Sequence, residues 1–259
     1  MSGVSFGGDL RRRSVLGPSP VDLFGGGADA LAVSLRRRPE DLATLQRDLV
    51  RTGVDILLAP TAATTASALH RTGQAYRAAA LTAAAVEISR DAIGSPGAGP
   101  WVFGEVPALP GARDLEEALT HVERLVTSAI DGVWVDAIDS DTTRAVLRSA
   151  AAHRLPVVVE LDEERLDLAD VLGHATTPWP IAMIVVRGAV PHALESALSA
   201  LRVRFEHVPF GARLTPAASL ASSDAVAIVQ AWWALPHDGL VALGVGGVHA
   251  QTALGAAQG

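Results

Sequence analysis

The stretch GVWVDAIDSDTTRAVLRSAAAHRLPVVVELD, Gly132 to Asp162, decides the fold. It opens on a short apolar run, GVWVDAI (132–138), dense in branched and aromatic residues. TTRAVLRSAAAHR (142–154) follows, with apolar residues recurring at three and four, the spacing of an amphipathic helix. PVVVELD (156–162) is a second aliphatic run. Strands that are apolar on both faces belong to parallel sheets covered by helices, so the stretch reads as strand, helix, parallel strand.

The same unit recurs in both directions along the chain. VDILLAP (54–60), WVFGEV (101–106), IAMIVVRG (181–188), FEHVPFG (205–211) and LVALGVGG (240–247) are further strand-like runs. MSGVSFGGD (1–9) supplies a weaker one, with Phe6 at its end and Gly7-Gly8 turning out of it. LEEALTHVERLVTSAI (115–130) and HALESALSALR (192–202) carry helical spacing between them. Strand then helix, repeated eight times in 259 residues, predicts an α/β protein: a (β/α)8 TIM barrel, one domain over 1–259. A doubly wound sheet fits less well. No G-x-G-x-x-G follows the first strand, and no composition shift or long linker splits the chain; GSPGAGP (94–100) is loop-like but short.

Composition narrows the function. Hydrophobic residues make up 49% of the chain, enough for a large core, and the formal charge of -7 opposes a nucleic-acid partner. The triplets Arg11-Arg12-Arg13 and Arg36-Arg37-Arg38 read as solvated surface. The first triplet leads into LGPSP rather than an apolar signal core, and no apolar run reaches spanning length, which predicts a cytoplasmic protein with no membrane partner. There is no cysteine, so disulfides, thiolate metal sites and cysteine nucleophiles are excluded. Lysine and asparagine are also absent, which excludes Schiff-base aldolase chemistry, an imine to pyridoxal phosphate and a P-loop lysine.

In such a barrel the C-terminal strand ends build the mouth of the site. Here they carry Asp9, Pro60, Thr61, Glu105, Asp136, Asp139, Glu160, Asp162, Arg187 and the turn from Gly246 to His249, an acidic mouth with one arginine. Glu105, Asp136 and Glu160 are candidate acids or bases. Asp139, Glu160 and Asp162 offer oxygen ligands for a hard cation such as Mg²⁺. Asp139 and Asp162 each precede a helical pattern, however, and capping is the favoured reading for both. Arg187 has two equal readings: a bidentate grip on a carboxylate or phosphate, or a partner for neighbouring acids. Trp232-Trp233 fall on a helical pattern, where one ring packs inward and the other offers a hint of an interface.

Read in order, these ends resemble the homocysteine S-methyltransferase family. GVDILLAPTAATTASALHRTG is similar to that family's stretch around strand two, and the opening stretch, from Gly132 to Leu161, to its strand, helix and LPV strand. IAMIVVRGAVPHALESAL resembles its strand ending in Asn-Cys, and LVALGVGGVHAQTAL its closing glycine-rich turn. The resemblance spans Gly53 to Leu254 and implies a barrel whose three cysteine thiolates hold a zinc that activates the thiol of homocysteine. The chemistry departs from that pattern. The first ligand position is matched by Arg187-Gly188, and the pair by Gly246-Gly247 or Val248-His249. The family's substrate-holding glutamate falls at Ala137, its turn asparagine at Pro60 beside a surviving Thr61, and its turn serine at Glu105 beside Gly104.

Those losses predict no zinc and no other cofactor, with Gly188, Gly246 and Gly247 as former ligand positions; His249 reads as a surface or structural residue rather than a substitute ligand. The expected role is a non-catalytic or regulatory barrel, a pseudoenzyme that binds a protein partner (an intact relative or itself) or a small ligand. Thr61, Glu105, Arg187, Gly246, Gly247 and His249 are the candidate contacts. The alternatives are a repurposed zinc-independent enzyme at the acidic mouth and, last, a thiol methyltransferase with unusual ligands.

Overall fold

Val157, Val159 and Leu161 pack outward among helix side chains, whereas Val158 packs inward with Trp134 and Met183. That alternation along one strand organises the whole sheet. A computed structural model of the chain describes residues 14–16, 20, 27–51, 53–94, 99–108, 114–137, 139–169, 172, 180–188, 191–205, 208–214 and 240–243.

Six parallel strands form a curled sheet: β2 (Ile56–Ala59), β3 (Trp101–Val106), β4 (Gly132–Asp136), β5 (Val157–Asp162), β6 (Ile181–Gly188) and β7 (Phe210–Leu214). Short β1 (Ser14–Leu16) and β8 (Leu240–Leu243) extend its edges and pair with each other, so the hydrogen-bonded order runs from β1 to β8 and back to β1. The described helices are α1 (Gly27–Arg37), α2 (Pro39–Arg51), α3 (Ala66–His70), α4 (Ala78–Ile93), α5 (Asp114–Thr127), α6 (Ser140–Ala152) and α7 (Pro191–Arg204). None of the described helices is long and apolar enough to cross a membrane.

Two apolar layers follow from the alternation. Ile56, Leu58, Phe103, Trp134, Val158, Met183 and Val185 fill the inside of the curl. Val102, Val133, Val135, Ile184, Val186, Phe210 and Ala212 face outward, against Val122 and Leu125 of α5, Val146 and Leu147 of α6, and Leu194 and Leu198 of α7. Every one of these side chains is nearly or wholly removed from water, and burying each stabilises the fold by about 1.5–3 kcal/mol for the larger ones.

Two expectations are corrected, and a third lies outside the described residues. That third is the expected strand at 1–9; the first described strand is Ser14–Leu16, immediately after the arginine triplet. The seventh begins at Phe210 and runs to Leu214, not 205–211, because Phe205 still completes the last turn of α7, its N–H bonded to the Leu201 carbonyl at 2.9 Å. After Asp162 the chain forms a turn and a 3-10 helix, Leu166–Leu168, where a helical pattern was expected to start.

Candidate functional site

The inward positions change character toward the C-terminal strand ends, from apolar to charged. Asp136 stands in register with Glu160, Asp162 with Arg187, and Arg187 with Arg213. The acids therefore line β4 and β5, and the arginines line β6 and β7.

Glu160 is the hub. It is 0% exposed, and its Oε2 accepts the Trp134 indole N–H at 2.7 Å. Arg213 Nη1 donates to Oε1 at 3.0 Å and to Oε2 at 2.8 Å, reaching across β6. Arg187 is held more loosely: its Nη1 donates to Asp136 Oδ2 at 3.3 Å and lies 3.2 Å from Glu160 Oε1, while Nη2 lies 3.5 Å from Asp162 Oδ2. Burial alone would lower the Arg187 pKa, but the charges of Asp136 and Glu160 outweigh it and hold the group above its ordinary value. Arg187 thus pairs with the neighbouring acids in this geometry. Among the described residues the mouth holds two arginines rather than the one expected.

Arg213 was not among the residues expected from sequence. The strand limit drawn at Gly211 cut it off, although FGARL alternates apolar and polar, a period-two signal that extends through Arg213.

Beside the charged cluster, Thr61 and Glu105 form a second group. Thr61, fully buried after β2, accepts the Glu105 N–H on Oγ1 at 2.8 Å and donates to the Glu105 carbonyl at 3.3 Å. His121 of α5 places Nε2 3.1 Å from the same carbonyl. Its ring is wholly enclosed, and desolvation lowers its pKa to about 4 despite the bond to Glu105, with Arg124 adding to the fall. The neutral Nε2–H tautomer donates to the carbonyl, locking the end of β3 to the turn after β2 and to α5.

Asp139 is a helix cap. It precedes α6 with extended backbone, and Oδ1 accepts the N–H groups of Asp141 at 2.9 Å and Thr142 at 2.8 Å. Burial would raise its pKa, but these bonds together hold it below the ordinary carboxylate range. Asp162 caps a turn: Oδ1 accepts the Glu164 N–H at 3.1 Å. Asp136 and Asp139 border a pocket walled by Val106, Pro107, Val135, Thr142 and Val146.

The residues present do not fit a thiolate-held zinc. The chain has no cysteine, and no group of three or more histidine, aspartate and glutamate side chains among the described residues is arranged to hold a metal. The oxygens of Glu160 are engaged by Arg213 and Trp134. Gly188 follows inward-facing Arg187 and so looks outward, toward Leu194 of α7. Gly246, Gly247 and His249 lie outside the described residues, as do Asp9 and Trp232-Trp233.

No protein-family model matches this chain, and no curated protein matches it. Solved structures do. The metallated form of the homocysteine methyltransferase MmuM from Escherichia coli is similar at a TM-score of 0.73 and 13% identity, over 97% of this chain and 97% of that one. Its oxidized form gives a TM-score of 0.75 at 15% identity, over 96% of each chain. Tryptophan synthase from M. tuberculosis in an open form gives 0.54 at 17% identity, over 96% of this chain and 92% of that one. At such identities the likeness establishes a TIM-barrel-like fold and says nothing of chemistry.

Proposed function

We propose that this chain is a single-domain (β/α)8 barrel descended from a homocysteine S-methyltransferase, that it binds no zinc, and that it acts by binding rather than by methyl transfer. The observation that carries the reading is Glu160: a carboxylate at the heart of the mouth, wholly buried and bonded through both oxygens to Arg213. A carboxylate held this way is a strut, not an acid or base poised for substrate. Asp136 and Asp162 share Arg187 more loosely, through single contacts at 3.3 and 3.5 Å. The absence of cysteine removes the thiolates through which the resembled family activates a thiol. The ligand is a protein partner, an intact relative or a second copy, or a small molecule at the mouth, in a cytoplasmic setting and with no nucleic acid.

The test is elemental analysis of protein prepared without chelator or affinity tag, beside a thiol-methylation assay with S-methylmethionine and S-adenosylmethionine as donors. We expect less than a tenth of an equivalent of zinc and no methylated homocysteine above a protein-free control. One equivalent of zinc with turnover would overturn the reading and restore a methyltransferase with unusual ligands. A second reading, a repurposed enzyme, draws on the pocket beside Asp136, the one candidate acid found there. Turnover of any small substrate that is lost in Asp136→Asn but kept in Asp139→Asn would favour it.

A further inference from the structure

Gly188 is buried at the end of β6, and its glycine identity has a cause other than backbone conformation, since its φ is not in the left-handed region. The cause is space. A Cβ added at 188 would overlap the Glu163 carboxylate, and Leu194 Cγ of α7 would lie 2.9 Å away. Glu163 is brought there by the turn after β5. Its N–H donates to the Arg187 carbonyl at 2.9 Å, while Asp162 accepts the Glu164 N–H on Oδ1 at 3.1 Å and the Arg165 N–H on its carbonyl at 2.9 Å. The turn is thus folded onto the end of β6, and the Glu163 side chain lies over Gly188. Its Oε2 is buried and makes no hydrogen bond among the described residues, so bonding at that atom does not account for its place.

We infer that Glu163 is a plug: its carboxylate fills the seat of a side chain at position 188, so the first ligand position of the resembled zinc site is sealed and not merely stripped of sulfur. Glu163 and Gly188 then act as one coupled pair. The sulfur of a cysteine at 188 has to displace the Glu163 carboxylate before it can occupy that seat. The inference rests on the proposed loss of zinc only for the sealing of a ligand position; the steric coupling stands apart from it.

A double-mutant cycle in the full chain tests the coupling through thermal unfolding. Gly188→Ala is expected to lower Tm by about 5 °C, the scale of overpacking in a domain of this size. In a Glu163→Ala background the same change is expected to cost less than half as much. An unchanged Tm in Gly188→Ala, or equal losses in both backgrounds, overturns the plug; if Gly188→Ala does not fold, folding of the double variant supports it and failure of both overturns it. Gly188→Cys adds a second readout, because its thiol is the only one in the chain. Reactivity of that thiol toward a maleimide is expected to rise at least tenfold when Glu163→Ala is added. Equal reactivity, or an equivalent of bound zinc with Glu163 intact, overturns the plug. Zinc in the unsubstituted protein would instead sink the proposed function and leave the cycle unaffected.

Discussion

Glu160 and Arg213 are both buried beneath the mouth, and Arg213 makes the closest charged contacts to the carboxylate, with the Trp134 N–H at 2.7 Å and Arg187 at 3.2 Å beside it. Removing either partner breaks the central contact of this buried cluster. Arg213→Ala should therefore destabilise the fold by about 3–5 kcal/mol in denaturant unfolding, whereas Glu160→Leu combined with Arg213→Met should recover most of that loss. Arg187→Ala should cost less, about 1 kcal/mol, because its contacts run from 3.2 to 3.5 Å and its side chain is 28% exposed. Equal losses for the two arginines would contradict the division drawn between them. His121 adds a pH dependence. Its folded pKa of about 4 lies below the unfolded value of 6.5, so the unfolded chain takes up the proton first as pH falls. Stability from this group is complete above about pH 6.5 and declines between 6.5 and 4, by about 3 kcal/mol in all. Unfolding curves across that window should lose this component in His121→Gln; an unchanged pH slope would mean that the ring is not held neutral.

At the scale of elements, α6 depends on its first residue. Asp139 satisfies two N–H groups that the helix cannot pair internally, and Asp139→Ala should lower stability by about 1 kcal/mol in denaturant unfolding, with Asp139→Ser recovering most of it. A loss within error would return Asp139 to the candidate ligands. This cap was legible in sequence because an acid before a helical pattern has one common use. The central strands were legible for a similar reason: both of their faces are covered, so each is a continuous apolar run, as in PVVVELD. The chain's edges were not. Ser14–Leu16 is too short to show a period and follows three arginines, and Phe205 looks like the start of a strand although it belongs to a helix end, with Arg204 stacked 5.5 Å over its ring. Arg213 was lost with that boundary, and with it the partner that explains Glu160. The plug was out of reach altogether, since nothing in the letters places Glu163 over Gly188.

For the whole molecule, the inward charges divide the mouth into an acidic wall on β4 and β5 and a basic wall on β6 and β7. Arg213 ties β7 to β5 directly, so the curl is cross-braced on one side. The other side depends on β1 and β8, whose registers Ser14↔Leu240, Val15↔Val241 and Leu16↔Ala242 join the two edges of the sheet. Among the described residues, Leu16↔Ile56 is the one register pair that links β1 to β2. An eight-stranded closure would thus rest on a few backbone hydrogen bonds, and a closed barrel and an open six-stranded curl differ most at those amides. Native-state hydrogen exchange separates them. In a closed barrel the amides of residues 15 and 16 and of 241 and 242 should exchange at least a hundredfold more slowly than unstructured peptide, by opening events short of global unfolding, while those of Val158 and Ile184 exchange only with the whole fold. Exchange at the unstructured rate in both edge strands, with the centre still protected, would leave an open sheet and remove the eightfold barrel from the proposed reading.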